Sequence, residues 1–249
     1  MAPPYRRPRR APTGYNGSVT EREDLQKHPG EARLPAAAAV VVAISLYALL
    51  PEPLLVGPRL VVPALELALF IPLVAANPRR MTRQNRMLRR TSIALVLLIA
   101  AANGASLVLL VRELVGGRTH AGNLLLLAAA QVWLTNVLVF ALAYWELDRG
   151  GPVERTQTAR PGLAAADFRF PQDEDHDAVA EVAVRSAARS GWAPGFIDYL
   201  YVSITNSSAF SPTDTMPLSP RAKMLMAVES VSALLLSILV ISRGISLLR

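Results

Sequence analysis

An all-α fold, a polytopic transmembrane helix bundle with five full spans plus one short re-entrant (or thin sixth) helix, is what this sequence predicts. Three observations point there. Apolar runs of near-membrane length recur along the chain, arginines bracket them, and a half-polar helix before Pro212 is too short to cross lipid. Composition agrees: 52% hydrophobic and 18% charged residues depart from a soluble average of about 45–50% and about 25%. Mean hydropathy is +0.31. Net charge is +7, with aromatics at 6%, and the basic residues flank apolar runs. That pattern is cytoplasmic anchoring rather than a nucleic-acid footprint, so no nucleic acid is expected as a partner. With no cysteine, disulfide frameworks, thiolate catalysts and thiolate metal sites are excluded.

Residues 1–34 read as a disordered basic cytoplasmic tail, because no apolar run follows the early arginines as a cleavable signal would require. Residues 35–145 read as a four-helix transmembrane region. Its first run, Pro35 to Leu50, would be about 24 Å long and is stopped by Pro51 and Pro53. The second, Leu60 to Ala76, closes a hairpin and contains Pro63, Pro72 and Glu66. A carboxylate in lipid is costly, so Glu66 should face protein or water, either as a functional acid or as a protonated or hydrogen-bonded packing residue.

Arg79, Arg80, Arg83, Arg86, Arg89 and Arg90 then fall in one short loop without an acid. The positive-inside bias puts that loop and the N-terminus in the cytoplasm and the hairpin tip outside. Ser92 to Val111 is the third span. Its small residues around Asn103 suit close helix packing, with the amide bonding across to a neighbour. Leu124 to Tyr144 is the fourth, carrying Gln131 and Asn136, five positions apart and so on different faces. Tyr144 and Trp145 should form an interfacial belt, with Glu146, Asp148 and Arg149 reaching the headgroups and Gly150-Gly151-Pro152 stopping the helix.

Residues 146–195 read as an acidic, Pro/Ala-rich, water-facing loop. Its run from Asp173 to Asp177 is more simply solvated than metal-binding, since the spacing fits no calcium loop. A short helix is expected over Ala178 to Arg189. No metal and no other cofactor is expected.

Residues 196–249 form the most informative stretch: a pore-loop-like half helix followed by a last span. Phe196 to Phe210 would reach only about 22 Å and ends in Thr205, Asn206, Ser207 and Ser208. A break at Ser211-Pro212, then Asp214 and a full apolar helix with Glu229 one to two turns inside, completes it. Such a segment needs protein or water around its freed backbone. Glu229 is then either a pore-side acid or the partner of the half helix's hydroxyls; the second is preferred, because capping a broken segment is obligatory.

The order of half helix, turn, Asp214, Pro217, Ser219-Pro220 and inner helix resembles the pore module of bacterial two-helix potassium channels over about a fifth of the chain. Ala209 to Thr213 stand where that family has Thr-x-Gly-Tyr-Gly, so the carbonyl ladder of its filter is degenerate. More of the chain is similar to a family of uncharacterised bacterial integral membrane proteins, through Val132 to Asn136, Tyr144 to Pro152 and Tyr199 to Asp214. The first resemblance implies a channel-like or transport-related, homo-oligomeric protein; the second implies a multi-pass protein of a bacterial inner membrane. Against an inside N-terminus, the half helix would enter from the cytoplasm, inverted relative to potassium channels, unless it is a thin sixth span. The competing expectation is a non-conducting scaffold or sensor that keeps the fold without a working filter. An enzyme is not expected: no H-E-x-x-H or G-x-S-x-G occurs, and His28, His120 and His176 lie in tails or loops. The lipid bilayer is the expected partner, and no catalytic residue is assigned.

Overall fold

The computed structural model describes residues 29–116, 122–174, 179–208 and 214–247. The expected tail before residue 29, the degenerate filter at 209–213 and the acids at Asp175 and Asp177 lie outside the described residues. What is described is all-α, with two-residue strands as its only sheet.

Strand β1 (Glu31–Ala32) leads into α1 (Leu34–Ala48), and α2 (Val61–Ala76) returns to β2 (Arg80–Met81), which pairs antiparallel with β1. Two long helices follow, α3 (Arg86–Gly116) and α4 (Gly122–Leu147). Then come α5 (Pro152–Gln157), β3 (Phe168–Arg169), the one-turn helices α6 (Ala180–Ala183) and α7 (Ala187–Ser190), and the half helix α8 (Phe196–Ser208). β4 (Met216–Pro217) pairs with β3 and leads into α9 (Pro220–Leu247).

Among the described residues three helices are long and apolar enough to cross a membrane: Arg86–Gly116, Leu124–Gly150 and Pro220–Ser242. The expectation of five full spans is therefore corrected to three. Helices α1 and α2 have 15 and 16 residues, or about 22–24 Å against a hydrocarbon core of about 30 Å. Their connection also stops short of the end of α3. The Ser106 hydroxyl donates to the Leu54 carbonyl at 2.9 Å, ten residues before α3 ends, which is about 15 Å at 1.5 Å per residue.

Helix α4 is the axis of the bundle, touching α1, α3, α8 and α9. Of its apolar window 61% is buried, against 39% for α3 and 17% for α9. Apolar side chains around Ile44, Ile99, Leu142 and Tyr199 make one core, and a second surrounds Leu54, Leu110 and Val132. Helix α9 buries only a narrow stripe, including Ala222, Glu229, Ala233 and Leu236, the seven-residue spacing of a helix with a single seam.

Several expected surface features are core. Tyr144 and Trp145 are buried rather than interfacial, and Glu146 and Asp148 are 3% and 0% exposed rather than at headgroups. The arginine loop is only partly a loop, since Arg86, Arg89 and Arg90 begin α3. The segment 150–195 is not simply water-facing. Phe168 and Phe170 are buried, edge-on to Tyr144 and Tyr199 with centroids 5.0 and 5.4 Å apart. The expected glycine stop is present: Gly150 and Gly151 have φ of +79° and +95°, angles that glycine adopts freely. A Cβ on Gly151 would also collide with the Arg89 guanidinium.

Candidate functional site

The last span puts an acid in an apolar helix, and α8 supplies what that acid lacks. Glu229 is fully buried, where an unpaired carboxylate would be prohibitive. Its Oε2 accepts from Tyr144 Oη at 2.5 Å and from Asn206 Nδ2 at 2.6 Å. Its Oε1 accepts from Ser207 Oγ at 3.0 Å and from Ser203 Oγ. Ser203, Asn206 and Ser207 recur at three- and four-residue steps, so they share one face of α8. A carboxylate offers about four lone-pair sites, and four side-chain donors meet it here.

Around that carboxylate the polar groups satisfy one another. Asn206 Nδ2 also reaches the Met226 carbonyl at 3.0 Å, and Ser230 Oγ donates to Asn206 Oδ1 at 2.8 Å. One turn along α9, Ser232 Oγ donates to the Glu229 carbonyl at 2.8 Å and accepts from Asn136 Nδ2 at 3.1 Å. Asn136 Oδ1 in turn accepts from Asn103 Nδ2 at 3.3 Å. A continuous polar line thus joins α3, α4, α9 and α8 through an apolar bundle.

Of the residues singled out by sequence, Asn103, Asn136, Asn206, Ser207 and Glu229 belong to this line. Thr205 and Ser208 do not: their hydroxyls donate back to the carbonyls of Tyr201 and Ile204 at 2.9 and 2.6 Å. Asp214 is exposed and Gln131 half-buried. Glu66, on α2, is 1% exposed and does not join the line by any hydrogen bond, its Oε2 lacking a partner.

A second polar layer, which sequence reasoning missed, closes the end of the bundle where α8 begins. Glu31, assigned to the tail, accepts from Trp145 Nε1 at 2.9 Å, Arg155 Nη2 at 3.2 Å and the Phe196 amide at 2.6 Å. It thereby places an anion at the first turn of α8, where the helix dipole favours one. The guanidinium of Arg155 lies 4.9 Å over the Tyr199 ring. Tyr199 Oη donates to Asp148 at 2.5 Å, Arg149 pairs with Asp173 at 2.7 Å, and Arg89 pairs with Glu146 at 2.8 Å. Arg221 holds Asp167 through two nitrogens, tying the β3–β4 pair to the start of α9. Of the described members of the acidic run, Asp173 is thus spent on Arg149 and Glu174 on Arg169. Among the described residues no group of three or more His, Asp or Glu could hold a metal ion.

No family model matches this chain, and no curated protein or solved structure matches it either. Neither the channel module nor the family of bacterial membrane proteins is shown by comparison, and the geometry above is what remains to carry function.

Proposed function

We propose that this is a multi-pass integral membrane protein whose C-terminal half-helix module is closed, and that it serves as a non-conducting membrane scaffold or sensor. The saturation of Glu229 by Tyr144, Ser203, Asn206 and Ser207 carries the proposal. A pore or transport site needs polar groups free to replace an ion's hydration shell, and here those groups are committed to one another. The Thr205 and Ser208 hydroxyls of α8 are committed to their own helix.

In this proposal α3, α4 and α9 cross the bilayer of a cell membrane. The positive-inside bias sets the Arg79–Arg90 end in the cytoplasm. The lipid bilayer is the principal partner, with like copies along the exposed face of α9. The layer holding Glu31, Asp148, Arg155 and Asp167 then lies on the cytoplasmic side, a structured face for partner contact.

Reconstitution into liposomes tests the closed module against a channel-like or transport-related one. Correctly inserted protein is expected to give no potassium, sodium or chloride flux above protein-free vesicles. Ion-selective flux from the wild-type chain, lost in Glu229→Gln, would overturn the proposal in favour of a pore. Deleting residues 150–195 is not a usable test of partner contact, because Phe168 and Phe170 belong to the core and their loss would unfold the bundle.

A further inference from the structure

Between α3, α4 and α9 runs an apolar cleft of about 400 Å³, within the range of about 300–1,000 Å³ common to small-molecule sites. On α3 it is faced by Ile93, Leu97, Ala100, Gly104 and Leu107, whose three- and four-residue steps form one straight stripe. The opposite wall is Met224 and Val228, 65% and 54% exposed, so the cleft opens sideways to the exterior of the bundle. Its floor includes Asn103, Asn136 and Ser232, whose polar groups are bonded to one another. It therefore favours a hydrocarbon over a polar solute.

Three exposed cations gather at one end. Continuing the α3 stripe backwards by the same steps reaches Arg90 and Arg86, both exposed. Lys223, also exposed, precedes Met224 on α9. None of these three makes an ion pair among the described residues. Glu146, which lines the cleft at this end, is already matched by Arg89, and Asp167 by Arg221. From Ile93 to Leu107 the stripe runs about 21 Å at 1.5 Å per residue, longer than one leaflet's share of a core about 30 Å thick.

We propose that this cleft binds an anionic phospholipid, one acyl chain lying along the α3 stripe and the phosphate at Arg86, Arg90 and Lys223. The proposal rests on the membrane placement given above. A basic cluster at the cytoplasmic end of an apolar groove matches an anionic headgroup above an acyl chain.

Native mass spectrometry of the detergent-purified full chain, incubated with phosphatidylglycerol and phosphatidylcholine of matched acyl chains, reads the outcome. Phosphatidylglycerol is expected to be retained preferentially. Arg86→Gln and Arg90→Gln, on the exposed first turns of α3, should each lower its affinity about fivefold and leave phosphatidylcholine unchanged. Gly104→Leu should fill the cleft and lower retention of both lipids; a Cβ at Gly104 meets nothing within 4 Å, and unchanged helicity by circular dichroism confirms the fold. Equal retention of phosphatidylglycerol by the parent and all variants, or no preference between the lipids, would overturn the site. If Gly104→Leu instead splits an oligomer while lipid retention is unchanged, a second copy fills the cleft and the lipid proposal fails. A chain that stays dispersed without detergent would sink the membrane placement itself, whereas a detergent-requiring chain with no lipid preference sinks only this site.

Discussion

At Glu229 the fate of one side chain decides between two opposed roles for the same module. A carboxylate turned to a wet axis would be tuned by solvent; one met by four donors is an internal strut. Removing a single donor leaves an acceptor unsatisfied in a buried site, at about 1–3 kcal/mol. Tyr144→Phe is therefore expected to lower stability by that amount in detergent unfolding followed by tryptophan fluorescence. Thr205→Val, which removes only a hydroxyl bonded to its own helix, should change stability by less than about 0.5 kcal/mol. Equal effects from the two substitutions would mean that the Glu229 cluster is not holding the half helix. Sequence reasoning paired Glu229 with the hydroxyls of α8 because a polar group in an apolar run must find a partner. It could not place Tyr144 there. A tyrosine beside a tryptophan at the end of an apolar helix has the same local signature whether it faces headgroups or a buried acid.

Among the elements, α8 is the one whose existence most depends on the others. It is 13 residues long, near the lower limit at which a helix is stable without tertiary support. Its N-terminus is held by Glu31 through the Phe196 amide, and the Gly195 amide donates to Asp198 at 2.7 Å. Arg155 is the counter-charge that makes Glu31 affordable there, with its side chain wholly buried and paired at 3.2 Å. Breaking such a pair from one side strands the remaining charge, at about 3–5 kcal/mol. Arg155→Ala is expected to cost that much and to expose α8 to proteolysis, with Glu31→Gln in the same chain recovering part of the loss. If the double variant is less stable than Arg155→Ala, the pair is not what anchors α8. The helices themselves were legible from length, proline punctuation and the Gly-Gly-Pro stop. The layer around Arg155 was not: its members come from residues 31, 145, 155 and 196, and no periodicity links positions so far apart in the chain.

For the whole molecule, the proposed orientation rests on where the ends of the long helices carry charge. The arginines of 79–90, the β1–β2 pair and the ion-paired layer all sit at the end where α3 begins, because Arg89 meets Glu146 and Arg33 bonds the Arg79 carbonyl there. At the opposite end of α3, Val115 is 74% exposed, about 43 Å further along the helix than Arg86 at 1.5 Å per residue. Under the proposed orientation Val115 is external and the segment around Ala188 cytoplasmic, since Arg160 bonds the carbonyls of Ala187 and Trp192 on the arginine side. A chain without cysteine gives no background to thiol labelling. Val115→Cys is expected to react with a membrane-impermeant maleimide on intact cells, and Ala188→Cys only after lysis. The reverse pattern would invert the molecule and move the lipid cleft's basic mouth to the outer leaflet. Labelling of both from outside would mean that α3 does not cross at all, which would leave the count of three membrane-length helices true of their composition and wrong about their placement.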